Sequence, residues 1–221
     1  MNPVVKRIFT GLAVGLAVIV AILLAPPVAI VPVVSCLIAL AFLEFFLLLR
    51  TRWPNMLSAW RVACLLAGLA VIAGGLFALA EIALGHGNVM LLYVVAIIKF
   101  SDVGGFAFGL TSAKLMKGGN HKMCPSISPG KSWEGLLGSV ALSCAVSCAF
   151  IPATRFAVGK ALAFGVAAAL LGTAGDLVES KFKRWVGVKD SSALRITNGM
   201  SGILDMLDSL ILAPTMLLPF L

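Results

Sequence analysis

Seven apolar runs punctuate the chain, at roughly 8–24, 28–49, 62–84, 89–110, 136–154, 160–178 and 202–220, with short polar connections between them. Runs of about 18 residues or more are long enough to cross the hydrocarbon core of a bilayer as helices. No separate soluble domain fits between them. The pattern predicts an all-α, polytopic membrane protein of about seven transmembrane helices, built as one integral-membrane domain over residues 1–221. Composition sharpens this reading: 61% of the residues are hydrophobic and 12% are charged, against about 25% charged in soluble domains.

The net charge of +8 matters less than where the cations fall. Lys6 and Arg7 precede the first run, and Arg50, Arg52 and Arg61 fill the second connection. Lys114, Lys117, Lys122 and Lys131 fill the fourth, and Lys181, Lys183, Arg184, Lys189 and Arg195 the sixth. Every second connection therefore collects the positive charge, and the intervening ones hold only Arg155 and Lys160. By the positive-inside rule the N-terminus is cytoplasmic and the C-terminus lies outside. The first run, with its basic flank, has the look of a secretory signal. The alternation of basic connections works only if it is kept as a span.

Acidic groups at membrane-helix ends are costly unless something cationic meets them, so they mark functional sites by default. Asp176 and Glu179 close the sixth run; Asp205 and Asp208 open the seventh. The topology places all four at the cytoplasmic surface. Asp205 and Asp208 are three apart and share a helix face. With Asp176 alongside, they would form an all-oxygen site suited to Mg²⁺. Lys99 and Asp102 can pair on one face of the fourth run, or Asp102 can face a cavity. The Gly105/Gly109 spacing there suits close helix packing, within one chain or between two copies as a homodimer. Glu44 is read as a structural acid that snorkels or pairs with a neighbour such as Arg50.

Ser128-Pro129-Gly130-Lys131-Ser132-Trp133-Glu134-Gly135 precedes a run with residues suited to cradling a phosphate. Backbone N–H groups at the helix start favour an anion and Lys131 adds a charge. The five cysteines form no disulfide framework, four of them lying in apolar runs. Cys124 and His121 lack the further ligands of a zinc site.

At these motifs the chain resembles the phosphatidate cytidylyltransferases, the CDP-diacylglycerol synthases. Asp102-Val103-Gly104-Gly105 with Gly109 is similar to one family segment, and residues 128–135 nearly complete a second. The third block runs from Gly175-Asp176 through Lys183-Arg184 and Lys189-Asp190 to Asp205 and Asp208, and the likeness covers most of residues 99–221. The resemblance implies conversion of CTP and phosphatidate to CDP-diacylglycerol and pyrophosphate, at the cytoplasmic face of a bacterial inner membrane. It implies that Asp176, Asp205 and Asp208 hold Mg²⁺, with a second, monovalent cation left open. Asp102 would sit close to the reacting groups. Lys131, Lys183, Arg184 and Lys189 would meet phosphates, while Ser128, Gly130, Trp133 and Glu134 would shape the nucleotide loop. The partners implied are CTP, a lipid phosphate and the bilayer, with no nucleic acid.

Two departures stand out. A Pro-Gly-His-Gly-Gly segment of the family is replaced here by residues 196–202, and an Arg between the two aspartates by Met206. They keep two alternatives open: a cytidylyltransferase for another lipid phosphate, or a non-catalytic or transport relative.

Overall fold

A computed structural model of the chain describes residues 15–53, 58–188 and 202–221. Lys6, Arg7, Lys189, Arg195 and most of the rebuilt 196–202 segment lie outside the described residues. The helices follow the apolar runs. They are α1 (Gly15–Leu24), α2 (Pro27–Arg52), α3 (Ala59–His86), α4 (Asn88–Leu115), α5 (Trp133–Ala149), the single turn α6 (Ile151–Thr154), α7 (Val158–Val186) and α8 (Ile203–Leu217). A 3-10 turn, Leu218–Phe220, extends the last. Five of these, α2, α3, α4, α7 and extended α8, are long and apolar enough to cross a membrane; α1 and α5 are apolar but shorter. The chain is an integral membrane protein of helical build.

Local chemistry sets the ends. Pro27 opens α2, where the missing N–H costs nothing. Ser58 and Ser132 cap α3 and α5 through their side chains. Gly87 alone joins α3 to α4 at φ 84°, a left-handed conformation open to glycine, so the two helices must turn back on each other.

The fourth polar connection is more than a loop: it contains a hairpin. β1 (Lys122–Cys124) and β2 (Ser128–Ser132) pair antiparallel, with Lys122 opposite Ser132. Asn120 Nδ2 donates to Gly109 O at 2.8 Å, tying the hairpin to α4. The strands are too short and polar to show the alternation that marks a half-buried strand.

Small residues set the helix spacing. A Cβ on Gly104 would stand 2.4 Å from Gly138 O, so α4 and α5 touch backbone to backbone. Buried Ser139, Ser143 and Ser147 repeat every fourth residue along α5. Ser143 Oγ donates to Ile97 O on α4 at 3.0 Å, and Ser147 Oγ to Ala161 O on α7 at 2.6 Å. Hydroxyls thus stitch three helices where apolar burial drives nothing in lipid. Gly104→Ala is expected to cost about 1–3 kcal/mol by overpacking. A thermal melt in detergent checks it, and an unshifted Tm would mean the helices stand further apart than described.

The bundle has two unlike ends. At one, Asn88 Nδ2 donates to Ala25 O at 2.7 Å. At the other gather the hairpin, the ends of α2, α4 and α7 and the starts of α3, α5 and α8. All four tryptophans lie there: Trp53, Trp60, Trp133 and Trp185. Trp53 meets Trp185 edge-on at 5.0 Å, and Arg61 stacks over Trp53 at 5.5 Å. Arg184 Nε reaches Ile127 O in the hairpin turn at 3.4 Å.

Candidate active site

A cavity of about 280 Å³ opens where α4, α5 and α7 meet the hairpin. Asp102, Lys131, Ser132, Ser139, Thr173 and Asp176 give it a polar wall, and Phe106 and Leu136 an apolar one. Ser128 and Gly130, expected in a phosphate cradle, line it with Lys131. Lys131 Nζ ion-pairs with Asp176 Oδ2, so the hairpin is fastened to α7 through the site itself.

α8 runs antiparallel to α7 and presents its acids one turn at a time. A Cβ on Gly175 would stand 2.7 Å from Asp208 O, which brings the helices into contact at the cavity's edge. Asp208 lies within hydrogen-bonding reach of Asp176, and Asp102 within electrostatic range of it. Asp208 Oδ1 also accepts from Ser209 N at 2.6 Å. One turn earlier, Asp205 Oδ1 accepts from Lys183 Nζ at 2.6 Å, and Lys183 reaches Glu179 at 2.8 Å. The predicted trio is therefore divided: Asp176 and Asp208 meet, Asp102 joins them, and Asp205 faces Lys183. Residues three apart share a face but lie about 4.5 Å apart along the axis, enough to find different partners on α7.

Trp133 is 55% exposed, and Glu134 turns to His121. His121 donates its backbone N–H to both Glu134 oxygens at 3.1 and 3.2 Å, and its Nδ1 stands 2.6 Å from Oε1. Glu134 thus locks the hairpin to α5, and His121 partners it rather than Cys124. Arg184 bonds backbone carbonyls at Ile127 and Val188, and Lys183 is occupied by carboxylates. Lys189 lies outside the described residues.

Glu44 is corrected. It is 1% exposed, and its Oε2 accepts from Leu204 N on α8 at 2.7 Å. It is a cap for the helix bearing Asp205 and Asp208, supplied from 160 residues away. Lys99 pairs with Asp102 as its spacing suggested, but it also reaches α8. Ser209, fully buried, was given no role by the sequence; it donates to Asp102 Oδ2 at 3.0 Å.

Among the described residues no three His, Cys, Asp or Glu side chains are grouped to hold a metal by themselves. Mg²⁺ seldom asks for that: it takes one or two carboxylates and completes its shell with substrate phosphates and water. Asp176, which lines the cavity, and Asp208, within reach of it, are a pair of carboxylates that fits that demand.

Fold and site together define a membrane-embedded protein with a charged cavity that suits phosphates at its helix ends and apolar chains along its wall. Residues 54–221 match the model of the cytidylyltransferase family, and the chain belongs to that family. It is 37% identical over 201 residues to phosphatidate cytidylyltransferase of Staphylococcus aureus, covering 89% of this chain and 72% of that one. It is 43% identical over 122 residues to the Mycobacterium bovis protein of the same name, covering 53% of this chain and 36% of that one. The chain is an enzyme of the cytidylyltransferase type.

Proposed function

We propose that the protein makes CDP-diacylglycerol and pyrophosphate from phosphatidate and CTP at the cytoplasmic leaflet of a bacterial cell membrane. The observation that carries this is the cavity holding Lys131 and Asp176, with the Ser128–Lys131 cradle on one side and Phe106 and Leu136 on the other. A triphosphate and a lipid headgroup need those two chemistries in one place. We place seven spans, with α1 and α5 as the shorter two, and a cytoplasmic N-terminus, since the basic connections fall at the end bearing the hairpin.

A lipid phosphate oxygen attacks the α-phosphorus of CTP, the bond from that phosphorus to the bridging oxygen breaks, and pyrophosphate leaves. A phosphate monoester is largely ionised near neutral pH, its second pKa being about 6, so no general base is required. Positioning and charge stabilisation then dominate the chemistry. Lys131 meets the triphosphate, and backbone N–H groups at the start of α5 favour its negative charge. Asp102 stays at the cavity wall, held by Ser209 and Lys99. Mg²⁺, when bound, neutralises the triphosphate, and Asp176 and Asp208 would hold it. Asp205 serves the site by keeping Lys183 and Glu179 in place.

Purified protein in detergent with phosphatidate, CTP and Mg²⁺ should release pyrophosphate and form a CDP-lipid detectable by mass spectrometry. A folded sample giving neither with any lipid phosphate would end this reading. The replaced 196–202 segment and Met206, where the family has Arg, motivate a second reading, a cytidylyltransferase for another lipid phosphate, and a panel of lipid phosphates in the same assay separates the two.

A further inference from the structure

A lysine inside a membrane-crossing helix demands an account, because an ammonium at that depth is costly unless oxygens surround it. Lys99 lies in the middle of α4, with a side chain 38% exposed. Its Nζ is held by three oxygens of three kinds: Ser209 Oγ at 2.9 Å, Met206 O at 3.1 Å and Asp102 Oδ2 at 3.3 Å. Ser209 Oγ in turn donates to Asp102 Oδ2 at 3.0 Å, closing a ring of contacts between α4 and α8. Lys99 is also in electrostatic range of Asp208. A carboxylate, a hydroxyl and a backbone carbonyl around one positive charge make the surroundings a small monovalent cation would accept.

Asp102 and Asp176 line this end of the cavity, Asp208 stands against Asp176, and two lysines pair with the lining acids. Lys131 arrives from the hairpin and pairs with Asp176. It is the cation that a triphosphate can draw away. Lys99 is anchored in a transmembrane helix by partners on a second helix, so it has nowhere to go.

We propose that Lys99 is a positioning residue that supplies the site's fixed monovalent charge: its ammonium holds Asp102 and the first turns of α8, so that Asp208 stays beside Asp176 without a free monovalent ion. Removing the ammonium leaves Asp102 unbalanced within electrostatic range of Asp176 and loosens the α4–α8 joint on which the Asp176–Asp208 approach depends. The charge vacated by Lys99→Ala is small enough for ammonium, methylammonium or K⁺ to replace. This inference rests on the proposed reaction for its kinetic readout, and a second readout is independent of that reaction.

The test uses the full chain in detergent, with Mg²⁺, CTP and phosphatidate, and choline chloride as the background salt. Wild-type turnover should be unchanged when K⁺ or ammonium replaces choline. Lys99→Ala should lose about 100-fold in kcat, the scale of a misplaced reacting geometry, with a smaller change in the KM for CTP. Added ammonium or methylammonium should restore kcat saturably, and Lys99→Arg should restore part of it. In melts without substrate, ammonium should raise the Tm of Lys99→Ala and leave the wild type unmoved. A wild type that needs K⁺ or ammonium, or a folded Lys99→Ala with unchanged kcat or no rescue in either readout, would overturn the inference. Should Lys99→Ala not fold, Lys99→Met, which keeps the stem, replaces it: lost kcat near the wild-type Tm supports the assignment and full kcat overturns it. A wild type releasing no pyrophosphate counts against the proposed reaction, while the melts still decide the role of Lys99.

Discussion

Asp208→Asn should lower kcat for CDP-lipid formation by about 10²–10³-fold, the scale seen when one preorganised electrostatic partner of a transition state is removed. The substitution keeps the side chain's shape, and an amide oxygen can still accept from Ser209 N, as the Asp208 carboxylate does at 2.6 Å. Only the charge beside Asp176 is lost. Tm should therefore hold while turnover collapses, and raising Mg²⁺ should recover part of the rate by mass action. Asp176→Asn should lower kcat alike, with some loss of Tm because its ion pair to Lys131 goes, and the double variant should cost little more in kcat than either single one, because groups that act as a unit are not additive. Asp205→Asn is the contrast: its carboxylate bonds Lys183, so Tm should fall more and kcat less. Equal losses of kcat at Asp205 and Asp208, with Tm intact in both, would return Asp205 to the ion and undo the division described above.

Glu44→Ala should be the most damaging substitution outside the cavity. The carboxylate is buried in α2, and it accepts the Leu204 N–H at the start of α8. An N–H left without a partner in an apolar setting costs about 1–3 kcal/mol, and an acid at a helix N-terminus adds a favourable dipole term. Asp205 and Asp208 follow Leu204 within a turn and a half, so the loss carries into the site. Both Tm and kcat should drop. Glu44→Gln, which keeps an acceptor of the same reach, should recover most of the stability. Melts and turnover of the two variants decide it; an inert Glu44→Ala would show that α8 starts correctly without this cap.

The spans were legible because lipid leaves a helix no choice: the apolar runs at 62–84 and 89–110 became helices Ala59–His86 and Asn88–Leu115. The common placement of Ser128, Gly130 and Lys131 was legible too, since they are neighbours in the chain and line one cavity together. What stayed hidden was pairing at long range. Nothing near Glu44 hints at Leu204, and local rules offered Arg50 instead. The spacing of Lys99 and Asp102 announced their contact but could not announce Ser209, 110 residues away from Lys99. Asp205 and Asp208 read as a matched pair because helical periodicity speaks of faces; it says nothing of which turn of α7 stands opposite. The hairpin escaped for the reverse reason, its strands being too short to establish a period.

The tryptophans give the molecule a built-in depth gauge for one leaflet. Indole rings settle at the boundary between headgroups and acyl chains. With Trp53, Trp60, Trp133 and Trp185 confined to the end that carries the cavity, intrinsic emission carries no signal from the far side. Brominated acyl chains introduced into only one monolayer should quench it from the side that carries the cavity, and far less from the other. The same asymmetry ties the cavity's mouth to the headgroup plane, so a thicker or thinner bilayer would displace the opposite, tryptophan-free end before it displaced the chemistry.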